Sequence, residues 1–153
     1  MEHNETDYIE LMALIRKNGL RESHNTQFTG IKEWVLENDN KFGKLCDEIS
    51  TLIDSLGEES IEIRKFLLPH YLNFTKIIHT QKKLLNEIIE IMNVIRLSYD
   101  NNGDFTCDPG LFNEAISKIE IFEKKYLKMN DIFCKLKLIQ KTSNELVIMI
   151  SEY

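Results

Sequence analysis

The stretch IEIRKFLLPHYLNFTKI, from Ile61 to Ile77, decides how many long helices the chain forms. Its apolar residues recur at alternating spacings of four and three, which is the heptad pattern of a helix packed against other helices. Pro69 interrupts this stretch, and proline removes one helical hydrogen bond and disfavours helical backbone at the preceding residue. The apolar phase is nevertheless kept across the proline, so we predict one continuous, kinked helix. The in-phase positions are Ile63, Leu67, His70 and Phe74.

The same spacing extends through most of the chain. In the first segment it includes Ile31, Val35, Asn38, Phe42, Leu45, Ile49, Leu52 and Leu56. After Phe74 it continues through Ile77, Gln81, Leu84, Ile88, Met92 or Ile91, Ile95 and Tyr99. The third segment has Phe112, Ala115, Ile119, Phe122, Tyr126, Met129, Phe133, Leu136, Gln140, Ser143, Val147 and Ile150. Three long amphipathic helices joined by short turns predict an all-α, antiparallel up-down bundle.

Turn residues divide these segments. Gly57 ends the first, and the stretch 100–110 (DNNGDFTCDPG) separates the second from the third, with Asp108 as N-cap. At the N-terminus, Asn18-Gly19 predicts the end of a short helix over Thr6–Lys17, followed by a loop over Leu20–Thr29. We therefore expect a short helix and loop in residues 1–28, a helical bundle in 29–153, and a single globular domain overall. The stretch 142–145 (TSNE) has capping-box form and predicts a break in the last helix.

The charge and cysteine pattern excludes several classes of protein. The net charge is −6 at pH 7, which argues against DNA as a partner. The three cysteines, Cys46, Cys107 and Cys134, are odd in number and form no CxxC pair, which is typical of a reducing compartment. The start of the sequence is unlike a secretory signal, and no apolar run is long enough to span a bilayer. We expect a cytoplasmic protein without membrane insertion.

Motifs for metal, phosphate or nucleophilic chemistry are absent from the sequence. His70 and His79 are nine residues apart, which places them on opposite faces of a helix. The stretch from Asp100 resembles the start of a calcium loop, but Phe105 and Leu111 occupy its glycine and glutamate positions. No glycine-rich phosphate loop or GxSxG motif occurs. We predict no metal site, no cofactor and no catalytic residue.

One pair of residues suggests an enzymatic alternative. The stretch 64–70 (RKFLLPH) resembles the ribonuclease motif of the HEPN (higher eukaryotes and prokaryotes nucleotide-binding) superfamily. That resemblance implies that His70 assists attack of a ribose hydroxyl on the adjacent phosphate, while Arg64 holds the phosphate and RNA is the substrate. In a continuous helix six residues correspond to about 600°, leaving the two side chains about 120° apart. Convergence requires a helix that begins near Pro69, with Arg64 in the preceding turn.

A second resemblance covers about residues 45–150. The stretch 63–67 (IRKFL), the proline- and tyrosine-containing segment after it, and 76–78 (KII) are similar to the bacterial bromochloroindolyl phosphate hydrolysis family. The proline stands three positions earlier here than in that family. This resemblance implies a bacterial cytoplasmic helical protein, associated with phosphoester hydrolysis. We call the series of positions at alternating spacings of four and three the seams. Because the three seams are complete, we expect a non-catalytic bundle that binds another protein or itself. The HEPN-like ribonuclease and the hydrolysis-associated protein are the alternatives.

Overall fold

The computed structural model describes the backbone of residues 5–151 and the side chains of residues 8–145. This part of the chain forms three α-helices: α1 (Glu5–Gly57), α2 (Ile61–Leu97) and α3 (Gly110–Ser151). Every helix contacts the other two. Short connections make successive helices antiparallel, so α1 and α3 run in the same direction. The predicted all-α class with three long helices is confirmed.

The core lies along the predicted apolar positions, some of which in α2 and α3 are half-buried. It also includes Ile53, Leu85 and Ile132, which stand beside those positions. All the α1 seam positions from Ile31 to Leu56 are buried except Asn38, which is half-buried and donates its side-chain amide to the Trp34 carbonyl. A smaller cluster lies at the end of the bundle near the α2–α3 connection and comprises Ile31, Ile91, Ile95, Phe112 and Ala115. Tyr99 departs from the prediction because it follows the end of α2 and is 52% exposed. The predicted positions Val147 and Ile150 lie outside the residues whose side chains are described.

Helix α2 is continuous through Pro69. It begins after the N-cap Ser60, whose hydroxyl accepts a hydrogen bond from the Ile63 amide at 3.1 Å. The core positions of α2 keep their phase on both sides of the proline because Leu67 and Phe74 are both buried. The prediction of one helix rather than two is therefore confirmed. His70 is half-buried on the edge of this face.

The predicted end of a short N-terminal helix at Asn18-Gly19 is wrong. Helix α1 runs without interruption through this predicted stop and through the predicted loop at 20–29. Gly19 lacks the positive φ of a helix cap. The prediction of a loop did not take into account two aromatic contacts. The rings of His24 and Phe112 stack with their centroids 4.7 Å apart, and those of Phe28 and Phe105 are 5.2 Å apart. These contacts hold the segment against the rest of the bundle. Residues 1–4 lie outside the described part of the chain.

The connection between α2 and α3 follows the predicted turn chemistry. The Asp108 carboxylate accepts a hydrogen bond from the Gly110 amide at 2.9 Å where α3 begins. Gly103 has φ +84°, a conformation that glycine adopts with little strain. The predicted break near residue 142 is not present, because α3 is helical to Ser151 and the Thr142 hydroxyl donates to the Leu138 carbonyl within the helix. Among the described residues, no helix is both long and apolar enough to cross a membrane.

Candidate functional site

Arg64 and His70 both lie in the first turns of α2, and each contacts different residues. Arg64 is exposed, and its Nε donates a hydrogen bond to the Gly57 carbonyl at 2.6 Å. The arginine thereby ties the start of α2 to the end of α1. The His70 ring lies 6.1 Å from the Phe66 ring, measured between centroids. Each residue thus has a structural contact of its own.

Arg64 and His70 do not meet the geometric condition for a phosphate site. Because α2 begins at Ile61 and contains Pro69, Arg64 lies inside the same helix as His70 rather than in a preceding turn. Six residues of continuous helix correspond to about 600°, so the two side chains leave the helix about 120° apart. This chain alone therefore does not aim them at a common atom.

A cleft of about 460 Å³ lies beside the α1–α2 turn. Arg64 is part of its wall together with two carboxylates, Asp54 and Glu58, and the described lining contains no histidine or cysteine. The remaining wall is Ile53, Gly57, Leu67, Leu68 and Tyr71. The two carboxylates would repel a phosphate, and no histidine of the described lining stands beside them to transfer a proton. We therefore assign no reaction to the cleft.

The acidic residues of the α2–α3 connection serve the fold. The Asp100 carboxylate accepts hydrogen bonds from the amides of Asn102 and Asp104, both at 2.9 Å. The Asp104 carboxylate in turn accepts a hydrogen bond from Arg21 at 2.8 Å and lies 3.7 Å from the Lys17 ammonium. The hydrogen bond from Arg21 lowers the pKa of Asp104, with the positive charges of both basic residues acting in the same direction and burial opposing them. These contacts fasten α1 to the connection.

The described residues include no group of three or more histidine, cysteine or acidic side chains placed to hold a metal ion. All three cysteines are free thiols. Burial raises the pKa of the Cys46 thiol, and a raised pKa makes the reactive thiolate scarcer. Cys46 is therefore a poor candidate for a nucleophile.

Among the described residues, seven exposed large apolar side chains lie in the first part of α1. We call residues 8–20 the α1 extension, because every one of them is exposed and the contacts of α1 with the α2–α3 connection begin with Lys17 and Arg21. The exposed fractions of its large apolar side chains are 66% for Tyr8, 65% for Ile9, 53% for Leu11, 36% for Met12, 55% for Leu14, 55% for Ile15 and 59% for Leu20. The α1 extension thus projects past the end of the bundle.

Four of these side chains form one stripe. Tyr8, Leu11, Met12 and Ile15 are related by steps of three, one and three residues, which places them on a single helical face. Ile15 precedes His24 by nine residues, or about 900°, so it lies on the face opposite to the one that packs against Phe112. The stripe therefore points away from α2 and α3.

A second exposed apolar group lies at the start of α2. It comprises Ile61, Phe66, Leu68, Tyr71 and Leu72, which are 48–64% exposed. Around the helix Leu68 and Phe66 are separated by two residues, or about 200°, so this group is spread over several faces. It is a less regular surface than the stripe of the α1 extension.

Sequence reasoning missed the α1 extension as a candidate site because it treated residues 6–17 as a short helix that a loop separates from the first long helix. The angular positions of the apolar residues around α1 could have revealed the extension from the sequence. Ile31 follows Ile15 by 16 positions, which is about 160° around the helix after complete turns, so an uninterrupted helix cannot place both in one core. No protein-family model matches the chain, and neither curated proteins nor solved structures show a significant similarity to it.

Proposed function

We propose that this protein is a non-catalytic cytoplasmic helical-bundle protein that acts by binding a helix of another protein chain through the α1 extension. The observation that carries the proposal is the exposed stripe of Tyr8, Leu11, Met12 and Ile15. Apolar anchors at positions i, i+3, i+4 and i+7 are the pattern by which a helix docks into an apolar groove or against another helix. Exposed contiguous apolar surface on a soluble domain commonly marks an interaction site.

The rest of the bundle supports this role by fixing the helix from which the stripe projects. The contacts of Arg21 with Asp104 and of His24 with Phe112 fix α1 just where the extension leaves the body. A helix that is already formed loses less conformational entropy on binding than a disordered segment does. The bundle is therefore a support, and the extension is the binding element.

Site-specific photo-crosslinking in cells tests the proposal. A photoreactive residue at Leu11 should give a covalent adduct of defined mass, whereas the same residue at Glu33 should not. Glu33 is the matched control because it is exposed, lies on α1, and is 18 residues from Ile15, which returns it to the same face. Equal labelling at the two positions, or none at Leu11, would contradict the proposal.

A second variant tests whether the adduct depends on the stripe. With the photoreactive residue at Ile15, Leu11→Asp should remove the adduct because a charge in a closely packed helical contact is left unpaired. Leu36→Asp alters an apolar residue that is 68% exposed on the body of α1 and should leave the adduct intact. Far-UV circular dichroism of both variants should match that of the wild type.

A further inference from the structure

We infer that the partner of the α1 extension is the α1 extension of a second copy of this chain, paired with it in antiparallel orientation. This inference rests on the proposed function and names the partner of the same stripe. Two observations support it: the direction in which the stripe faces and the order of charges along the segment.

The direction of the stripe excludes its own bundle as the covering surface. Ile15 lies opposite to the His24 face, and His24 packs against Phe112 of α3. Because α1 is uninterrupted from Glu5 to Gly57, neither α2 nor α3 of the same chain can reach the opposite face. No helix of the described part of the chain covers the apolar residues of the stripe.

The order of charges makes the segment complementary to itself. Before the midpoint of the stripe the sequence has Glu5, Asp7 and Glu10, and between the stripe and the body it has Arg16 and Lys17. Antiparallel pairing brings the acidic half of each copy beside the basic half of the other, while parallel pairing sets like charges side by side. In the antiparallel arrangement the partly positive N-terminus of each helix also lies beside the partly negative side of the partner's dipole, which is favourable.

The spacing of the stripe is compatible with the same two-fold arrangement. A two-fold axis between Leu11 and Met12 places Leu11 of one copy opposite Met12 of the other. The same axis places Tyr8 of one copy opposite Ile15 of the other. Each contact then occurs twice, as in any isologous interface. The basic end of the segment stays next to the body because Lys17 is 3.7 Å from Asp104 while remaining 59% exposed. The two bundles would lie at opposite ends of the paired extensions.

Sedimentation equilibrium on the full chain tests the pairing. The interface is short, so the average mass should rise from 18.0 kDa toward twice that value between about 10 µM and about 1 mM, the range of weak interfaces. Ile15→Asp should abolish the rise, and Leu36→Asp should leave it unchanged. A constant mass of 18.0 kDa at the highest concentration would overturn the inference. So would a dimer that survives Ile15→Asp but is lost with Leu72→Asp, because the contact would then lie on α2.

Distance measurements between two spin labels test the orientation. Labels at the exposed Ser23 should lie about 35 Å apart in the antiparallel dimer, since each label is about 17 Å along the helix from the two-fold axis. In a parallel pair the same labels would lie on neighbouring helices about 10 Å apart. A short distance would therefore refute the antiparallel arrangement.

The two proposals fail in different ways. A monomer in solution that gives a crosslinked adduct with a different protein at Leu11 overturns self-pairing and leaves the interaction function standing. A monomer that gives no adduct at Leu11 overturns both. A monomer that binds anionic vesicles through the stripe also overturns self-pairing. An adduct between two copies at Leu11, lost with Ile15→Asp, supports both.

Discussion

Gln81 is the clearest point at which a single substitution should stabilise the bundle. It occupies a seam position of α2, is completely buried, and donates its side-chain amide to the Phe122 carbonyl of α3 at 2.9 Å. Its side-chain oxygen has no hydrogen-bond partner among the residues that the structure describes. We expect Gln81→Met, which nearly conserves the volume, to raise the free energy of unfolding.

The magnitude follows from two opposing contributions. Removing the unpaired buried oxygen relieves a desolvation penalty of about 1–3 kcal/mol, and losing the hydrogen bond to Phe122 costs about 0.5–1.5 kcal/mol. The Phe122 carbonyl lies inside α3, so it retains the helical hydrogen bond from the residue four positions later. The net gain is about 1 kcal/mol, and for a chain of this length it corresponds to an increase in Tm of about 2–4 °C.

Urea denaturation and thermal melting of Gln81→Met measure this gain. Gln140→Met is the matched control because Gln140 is also a seam position but is half-buried, and its effect should stay within about 0.5 kcal/mol. Gln81→Glu should destabilise the protein at pH 7 by placing an unpaired charge in the core, and acidification that protonates it should recover part of the loss. If Gln81→Met instead lowers the stability by 1 kcal/mol or more, the reasoning about the unpaired oxygen is refuted.

Three further predictions concern the extension, the ion pair and the ribonuclease alternative. Gly19→Ala should slow amide hydrogen exchange in the α1 extension about fivefold. The reason is that alanine stabilises an exposed helix by about 1 kcal/mol relative to glycine. Faster exchange in the variant would indicate that the helix is broken at this residue. The pKa of Asp104, lowered chiefly by Arg21, makes this pair stabilising at neutral pH, and the contribution should be lost as the pH falls below the ordinary value of 3.8. Arg21→Ala should return the carboxyl pKa toward 3.8 in an NMR titration; an unchanged value would refute the assignment. His70→Ala should leave the amount of RNA degradation in a purified preparation unchanged, because Arg64 does not converge with it; a specific loss of cleavage would restore the ribonuclease hypothesis.

The helices of the body were predictable because burial in a bundle imposes a period on the sequence. Leu67 and Phe74 keep that period across Pro69, and this long-range consistency outweighs the local preference of proline against helix. Local signals failed at Asn18-Gly19 for the converse reason. A glycine disfavours helix by only about 1 kcal/mol, and it is opposed by the contacts of His24 with Phe112 and of Phe28 with Phe105 near the α2–α3 connection.

The candidate site was less predictable than the fold. Arg64 and His70 are close in sequence, but a continuous helix separates their side chains, so sequence proximity was misleading. The ion pair between Arg21 and Asp104 joins residues 83 positions apart and has no local signature. The exposure of the α1 extension required knowing where the partner helices end, which a heptad pattern does not specify.

The composition of the α1 extension argues that it is more than a lengthened core helix. Continuing the bundle-facing side of α1 backwards from Arg21 by steps of four, three and four leads to Lys17, Leu14 and Glu10, two of which are charged. Its apolar stripe lies on the opposite side, where α2 and α3 cannot cover it. A segment that had merely outgrown the bundle would keep its apolar residues on the bundle-facing side. The reversal of phase between Ile15 and His24 is therefore our reason for assigning the stripe to a contact between chains.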